Sequence, residues 1–392
     1  MSNRGKNIAI IGTGPAGLMA ARELLAAGFK VTLFEKNKGP GHKLLIAGGS
    51  GLNVSSALPP DEFAAQYSGN IRWIDLFEKF SVADWLDFIA TLGLETFEGT
   101  SGRYFVREMK ASGLLRRWLD ALEKAGAVFH YNAECTGWET SAPKITLHFR
   151  EQESQTFDAV LFALGGGSWL KEEARWPELF KKHGVTVLPF RSANAGFSVA
   201  WGQKFIAEAA NQPLKNIEFC SRLGRKKGDL MITEYGIEGT PVYFFGESGA
   251  CSIDLKPDLE EQEITARLDS VRENLSPMRR AAKKLHLEKT ALALLYHHAP
   301  PGALESNAAL AHAIKTFPLV LGDTRPLTEA ISSLGGISLD EIDADFQLRK
   351  IPGMFVAGEM LDWHAPTGGF LIQACVSQGV AAARGILKHG GI

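Results

Sequence analysis

The chain opens with a short apolar run, Asn-Ile-Ala-Ile-Ile at 7–11, which ends in glycine and is followed by apolar positions at helical spacing from Ala16 to Ala27. A run of that length before a glycine turn predicts a buried strand, and the spacing after it predicts a helix stopped by Gly28. Lys30 to Phe34 reads as a second strand, so the opening is a βαβ unit with parallel strands. Residues 71–92 and 112–125 carry amphipathic helical spacing, whereas 127–131, 144–149 and 157–163 read as strands. Alternation of this kind predicts an α/β fold to about residue 190.

The pattern then changes. Between Phe190 and Leu255, short β-like runs at 196–199, 228–233 and 242–245 are broken by glycine and polar turns, which predicts a mostly β domain. Helical composition takes over at 258–274, 277–285 and 288–298, ended by Pro300-Pro301. After Arg325 glycine-marked strands return, with an apolar strand over 353–358 and a helix from Gly369 to Leu387. The expected organisation is a first domain made of residues 1–190 and 326–392, a β-rich domain of 191–257 and 317–325, and a helical insertion of 258–316.

Composition sharpens this in one respect. The 392 residues include 41 glycines, more than the roughly 7% usual in proteins, and they cluster at 12–17, 39–51, 165–167, 335–336 and 368–369. Such clusters suggest backbone brought close to a ligand. A formal charge of -2 provides no field to recruit nucleic acid or an anionic membrane, so the expected partner is a small molecule. The basic run Arg222 to Lys227 lacks interleaved aromatics and reads as a solvated turn. Four scattered cysteines form no C-x-x-C pair, which argues against a disulfide framework, a zinc or other metal site, or a dithiol centre, and fits free thiols in the cytoplasm. Glycines and Pro15 interrupt the N-terminal apolar stretch that would otherwise resemble a signal peptide, and no apolar run approaches the roughly 18 residues of a membrane span.

Gly12-Thr13-Gly14-Pro15-Ala16-Gly17 matches G-x-G-x-x-G with a strand before it, a helix after it and an acid, Glu35, at the end of the next strand. Gly12 permits the tight turn, Gly14 admits a pyrophosphate, Gly17 lets helix and strand pack closely, and the helix N-terminus opened by Pro15 and Ala16 attracts the phosphates. Glu35, with Lys36 beside it, is placed to accept ribose hydroxyls. A dinucleotide is therefore expected, FAD or NAD(P).

Later segments favour FAD. Ala159 to Gly167 is an apolar strand running through Ala163 and Gly165 into a glycine turn, and Met354 to Glu359 is another, with Glu359 after Gly358. These are similar to the Ala-x-Gly and Gly-Asp/Glu segments of FAD enzymes of the glutathione-reductase type. Thr367, Gly368, Gly369 and Phe370 open the last helix, whose free N–H groups would favour negative charge on a reduced flavin. The segment from Gly39 to Ser56, too glycine-rich for a stable helix of its own, is expected to run beside the cofactor, with Lys43, Gly48, Gly49, Ser50, Gly51 and Asn53 as candidate contacts.

Lys43 to Asn53, Ser332 to Ile337 and Pro352 to Gly369 together resemble the signature segments of the YhiN/BaiN-like bacterial flavoproteins, a likeness spanning nearly the whole chain. The resemblance implies an α/β, Rossmann-like FAD-binding domain built from both chain ends, an inserted β-barrel-like domain and a helical sub-domain. It also implies NAD(P)H-dependent reduction of unsaturated substrates or oxidation of small amines. The chain departs from the family where many relatives read Gly-Gly-Gly-Arg-Cys-Asn and it reads Gly49-Ser50-Gly51-Leu52-Asn53. Glu234 also stands where a family Thr-His pair has histidine, and Asp362 to Pro366 differs from the family's acidic stretch. A divergent branch, with a substrate of its own, is the expectation.

His364, between Glu359 and the glycines of the last helix, is the candidate for donating or accepting a proton. Arg103, Tyr104 and Arg107 are candidates for holding a carboxylate or nicotinamide phosphate, against the simpler reading of a solvated charged strand. Glu234 and Tyr235 are candidates from the middle domain, and His42 stands where some flavoproteins attach FAD covalently. The expected function is an FAD-dependent oxidoreductase passing hydride through flavin N5, with NADH or NADPH as transient reductant and a small organic substrate. The alternatives are an oxygen-using oxidase of a small amine or amino acid, a non-catalytic flavin-binding redox sensor or accessory protein, and an NAD dehydrogenase without flavin.

Overall fold

The computed structural model describes residues 5–48, 51–170, 174–271 and 275–389. It divides into two compact units, residues 1–191 with 332–392, and residues 192–331.

The first unit is built on a five-stranded parallel sheet. Asn7–Ile11 lies in the middle, flanked by Lys30–Phe34 and Ala159–Phe162, with Val128–His130 and Met354–Val356 on the two outer sides. The strands at 7–11, 159–162 and 354–356 are almost wholly buried. That is why they read as continuous apolar runs and not as alternating ones. Helix Pro15–Ala26 packs against the last helix, Phe370–His389. Their contact is close because residue 379 is glycine: a Cβ there would run into the carbonyl oxygen of Ala16. The last helix has the length and apolar character of a membrane span, but 78% of its most apolar window is buried inside the protein, as befits a core helix.

Several local expectations change. The helix predicted over 71–92 is two, Trp73–Lys79 and Val82–Thr91. Ser81 breaks it, because its hydroxyl caps Asp84 N–H while the Asp84 carboxylate accepts from Ser81 N–H. Residues 42–47 form a short helix inside the segment judged too glycine-rich for one. The glycines flank His42–Ala47 without entering it, and Gly41 supplies the left-handed turn before it (φ 64°). Cys135–Ser141, Lys144–Phe149 and Gln152–Phe157 make an antiparallel three-stranded sheet of which the sequence revealed only the middle strand. The outer strands are largely exposed and polar, so no apolar run marks them.

The second unit carries a six-stranded antiparallel sheet with strands Phe197–Ser198, Gly236–Glu238, Gly224–Ile232, Gln212–Ser221, Gly249–Asp254 and Phe317–Leu321 in spatial order. Its two ends meet: Phe197 bridges Thr324, Ser198 N–H donates to Asp323 O at 3.0 Å, and Arg325 N–H donates to Gly196 O at 2.8 Å. The sheet therefore closes in the barrel-like manner expected. Helices Glu261–Asp269, Pro277–Leu285, Lys289–His298 and Asn307–Lys315 share its apolar core. The predicted strand at 242–245 is instead a helical turn, Thr240–Phe245, started by Pro241 at its first turn.

Candidate cofactor and active site

The glycine turns lie at the C-terminal ends of the parallel strands, where ligands of open α/β sheets bind. Gly12 has φ 108°, and a Cβ on it would strike the Ala163 carbonyl; one on Gly17 would strike Gly12 O. The fold itself therefore demands both glycines. Gly14 differs, since a Cβ there would meet no atom within 4 Å. Nothing in the chain requires glycine at 14, whereas a pyrophosphate lying against the helix N-terminus does.

Glu35 is buried and fully engaged. One carboxylate oxygen accepts from Thr13 N–H and the Thr13 hydroxyl, the other from Asn37 N–H at 2.9 Å and Asn37 Nδ2 at 2.7 Å. Thr13 thus ties the acid to the glycine turn, a role for the motif's second position that the spacing does not reveal. Lys36 beside it is exposed.

Both ends of the chain converge here. Gly358 (φ 86°) would place a Cβ 3.2 Å from Ala16 Cβ, beside the first turn of the first helix. Lys43 joins three glycine segments: its ammonium donates to Gly166 O at 3.0 Å and Ser168 Oγ at 3.2 Å and lies 3.8 Å from the Glu359 carboxylate. Gly165 has φ 72°, with Lys43 Nζ 3.7 Å from its Cβ position. Ser333 Oγ accepts Gly167 N–H at 2.8 Å, so the Ser332–Ile337 strand supports the same turn.

At the far end, Gly369 (φ 85°) presses on Ser55 N and on Asn53 Oδ1, 2.6 Å from its Cβ position. Asn53 Oδ1 is buried without a hydrogen-bond partner. Asn53, Gly368, Gly369 and Phe370 are therefore brought together, and Thr367 is half-buried next to them. Behind them, Tyr67 donates to Phe370 O at 2.8 Å within a cluster of Phe63, Trp73, Phe77 and Trp363. Gln373 receives the Ser55 hydroxyl at 2.9 Å and donates to Ser81 O at 3.2 Å. These supporting residues carry no motif; only their polarity on an apolar helix face could have drawn notice. Gly48 packs on Ala111, whereas Gly49 and Ser50 lie outside the described residues.

His364 is held through its backbone, its N–H donating to Ser68 Oγ at 3.1 Å and its O accepting Ser68 N–H at 2.8 Å. Burial pushes its side chain down to about 4, and its Nδ1 has no partner. A neutral imidazole of that kind suits accepting a proton better than supplying one at pH 7. Arg103 is drawn to the site, with Nε 3.4 Å from the Cβ position of Gly368, and burial lowers its guanidinium from its usual value. Arg107 is not. It pairs with Glu95 at 2.7 Å in solvent, the simpler of its two readings. Tyr104 lies in the strand Arg103–Val106, opposite Ser55. In the other unit Tyr235 donates to Glu238 at 2.7 Å under Arg325, and Glu234 is exposed. His42 is exposed at the first turn of its helix. All four cysteines are free.

A parallel sheet with a glycine turn after its central strand, an acid after the next and a helix N-terminus facing both defines a Rossmann-type dinucleotide-binding protein. Residues 6–385 match the HI0933-like protein Rossmann domain family, and the chain belongs to it. It is 23% identical over 398 residues to the ribosomal RNA dihydrouridine synthase of Escherichia coli, covering 96% of this chain and 97% of that one. It is likewise 23% identical over 407 residues to the protein of the same name from Haemophilus influenzae, covering 99% and 100%. Among solved structures, the open conformation of a flavocytochrome c3 fumarate reductase superposes with a TM-score of 0.50 at 14% identity, over 98% of this chain and 79% of that one; the likeness is one of fold.

Proposed function

We propose that this chain is an FAD-dependent oxidoreductase that reduces a carbon–carbon double bond at the expense of NADH or NADPH. The observation that carries the reading is the series of contacts that joins the two chain ends, Gly358 beside Ala16, Lys43 beside Glu359 and Gly369 beside Asn53, a spread suited to a ligand longer than a mononucleotide. The residues fit FAD: open space at Gly14 and the unpartnered Asn53 Oδ1 are features that chain packing alone leaves without a purpose. Gly14, Pro15 and Ala16 would hold the pyrophosphate, Glu35 the ribose, Lys43 and Glu359 the middle of the cofactor, and Asn53 with Gly368, Gly369 and Phe370 the flavin end.

When bound, FAD supplies hydride transfer through its N5. The chain's contribution is orientation and charge. The last helix begins at Phe370, and the first N–H groups of a helix, which lack intrahelical partners, stabilise negative charge. Arg103 adds a cation beside Gly368, placed for a carboxylate or phosphate of substrate or reductant. Adding hydride to a double bond also consumes a proton, which solvent supplies, because His364 is neutral at pH 7 and carries no surplus proton to give. Ribose hydroxyls reaching Glu35 would replace Thr13 Oγ1 or Asn37 Nδ2, because those donors already occupy the roughly four acceptor positions of a carboxylate.

The names of the full-length relatives favour a second reading, in which the double bond is that of a uracil base in ribosomal RNA. The chemistry is the same and the partner differs. The formal charge of -2 supports a small molecule over a polyanion. The test is anaerobic: a yellow protein bleached by NADPH or NADH and reoxidised by an unsaturated acid, ketone or amide sustains the proposal. Loss of dihydrouridine from ribosomal RNA on deletion of the gene would select the second reading. A colourless protein that takes up no FAD would overturn both.

A further inference from the structure

The opposite edge of the same sheet, where the parallel strands begin, holds a cavity of about 440 Å³, within the size range of small-molecule sites. It lies between the N-terminal ends of the strands starting at Asn7, Ala159 and Met354, and therefore a full strand length from the glycine turns. Its floor is apolar, formed by Ile8, Phe29, Ile145, Phe355 and Ile386. One wall is aromatic: Trp138 and His183 stack with ring centres 4.3 Å apart and planes 20° from parallel.

The polar groups of the lining are biased to one sign. Among its described lining residues, Lys6, Lys144 and Lys350 stand against one carboxylate, Asp158, with a second, Glu341, behind Lys350. All three lysines are engaged: Lys144 with Asp158 at 2.6 Å, Lys350 with Glu341 at 2.8 Å and Gly184 O, and Lys6 with contacts of its own. Apolar floor, flat aromatic wall and lysine-rich surround have a common complement.

We propose that this cavity binds a flat aromatic carboxylic acid. The ring lies on the apolar floor beside the Trp138–His183 stack, and the carboxylate meets the lysines. The site is separate from the dinucleotide edge and does not depend on which cofactor occupies that edge.

The test uses 2-naphthoate as probe, titrated calorimetrically into the full-length protein as purified. The expected result is one probe per chain, with its neutral isostere 2-naphthamide bound about tenfold more weakly. The pair of substitutions Lys6→Met and Lys144→Met should weaken naphthoate by about tenfold while leaving naphthamide unchanged. Ala159→Phe, which fills the floor, should abolish binding of both. If that variant does not fold, Ala142→Trp at the exposed rim gives the same readout. Circular dichroism and dinucleotide content, measured on each sample, should match the parent. No binding of naphthoate at millimolar concentration, equal binding of acid and amide, or binding indifferent to both the rim and the lysine substitutions would overturn the proposal.

Discussion

The two edges of the parallel sheet are made of the same strands and differ in what they are made to meet. At the C-terminal edge the chain is stripped of side chains: Gly12, Gly14, Gly165 and Gly358 expose backbone, and the polar groups that remain, Glu35 and Lys43, are tied to the turns themselves. At the N-terminal edge the side chains are large, and lysines surround an apolar hollow. A backbone surface reads phosphates and hydroxyls by N–H and C=O geometry, which few sequences satisfy. A side-chain surface reads shape and charge, which many do. The comparison teaches why one edge announces itself in sequence and the other does not.

The strongest way to break it is at Gly369. Gly369→Val puts a branched side chain into Ser55 N and Asn53 Oδ1 at a φ of 85°, and should cost about 3 kcal/mol or more. The expected outcome is a large fall in Tm together with loss of FAD. A sharper contrast lies between two glycines of one motif. Gly12→Ala should destabilise even the cofactor-free protein, since it collides with Ala163 O, whereas Gly14→Ala should leave cofactor-free Tm unchanged and weaken FAD binding by about tenfold or more. Equal effects of the two on the cofactor-free protein would dissolve the distinction between glycines the fold needs and glycines the ligand needs.

Lys43→Met should release the Gly166 carbonyl and the Glu359 carboxylate together, lowering FAD affinity by about one to two kcal/mol without touching the far cavity. Retained affinity would remove Lys43 from the cofactor edge. A further effect is one of pH. His364 is held down to about 4 in the folded protein, against roughly 6.5 unfolded, so the unfolded chain binds the extra proton between those values. Its contribution to stability is full above pH 6.5 and is lost as pH falls toward 4. Tm measured across that window should fall more steeply for the parent than for His364→Asn; identical slopes would place the imidazole in solvent.

Much of the first unit was legible because its buried strands leave continuous apolar runs at 7–11, 159–162 and 354–356, each ending in glycine. The helix at 42–47 is hidden in sequence by the glycines that crowd both its ends without entering it. The turn at 240–245 looks like a strand in sequence because Val242 to Phe245 is as apolar as one, and Pro241 alone marks the helical start. In the site, residues whose identity is dictated by backbone geometry were visible. Thr13, Asn37, Ser333 and Gln373 were not, since a single hydrogen bond to a distant partner leaves no period or spacing behind. Arg103 and Arg107 are identical in type and four residues apart, and only burial separates the one beside Gly368 from the one paired in solvent.

The outermost strand of the sheet and the helix that packs on Ala16 come from the last tenth of the chain, while the turn they complete comes from the first. During synthesis, therefore, the opening βαβ unit emerges long before the segment that covers it, and its apolar helix face must wait through the whole second unit for a partner. Nascent chains halted before residue 354 should be recognised by chaperones and, on the proposal that Gly368 to Phe370 hold the ring end of the cofactor, stay colourless in the presence of FAD.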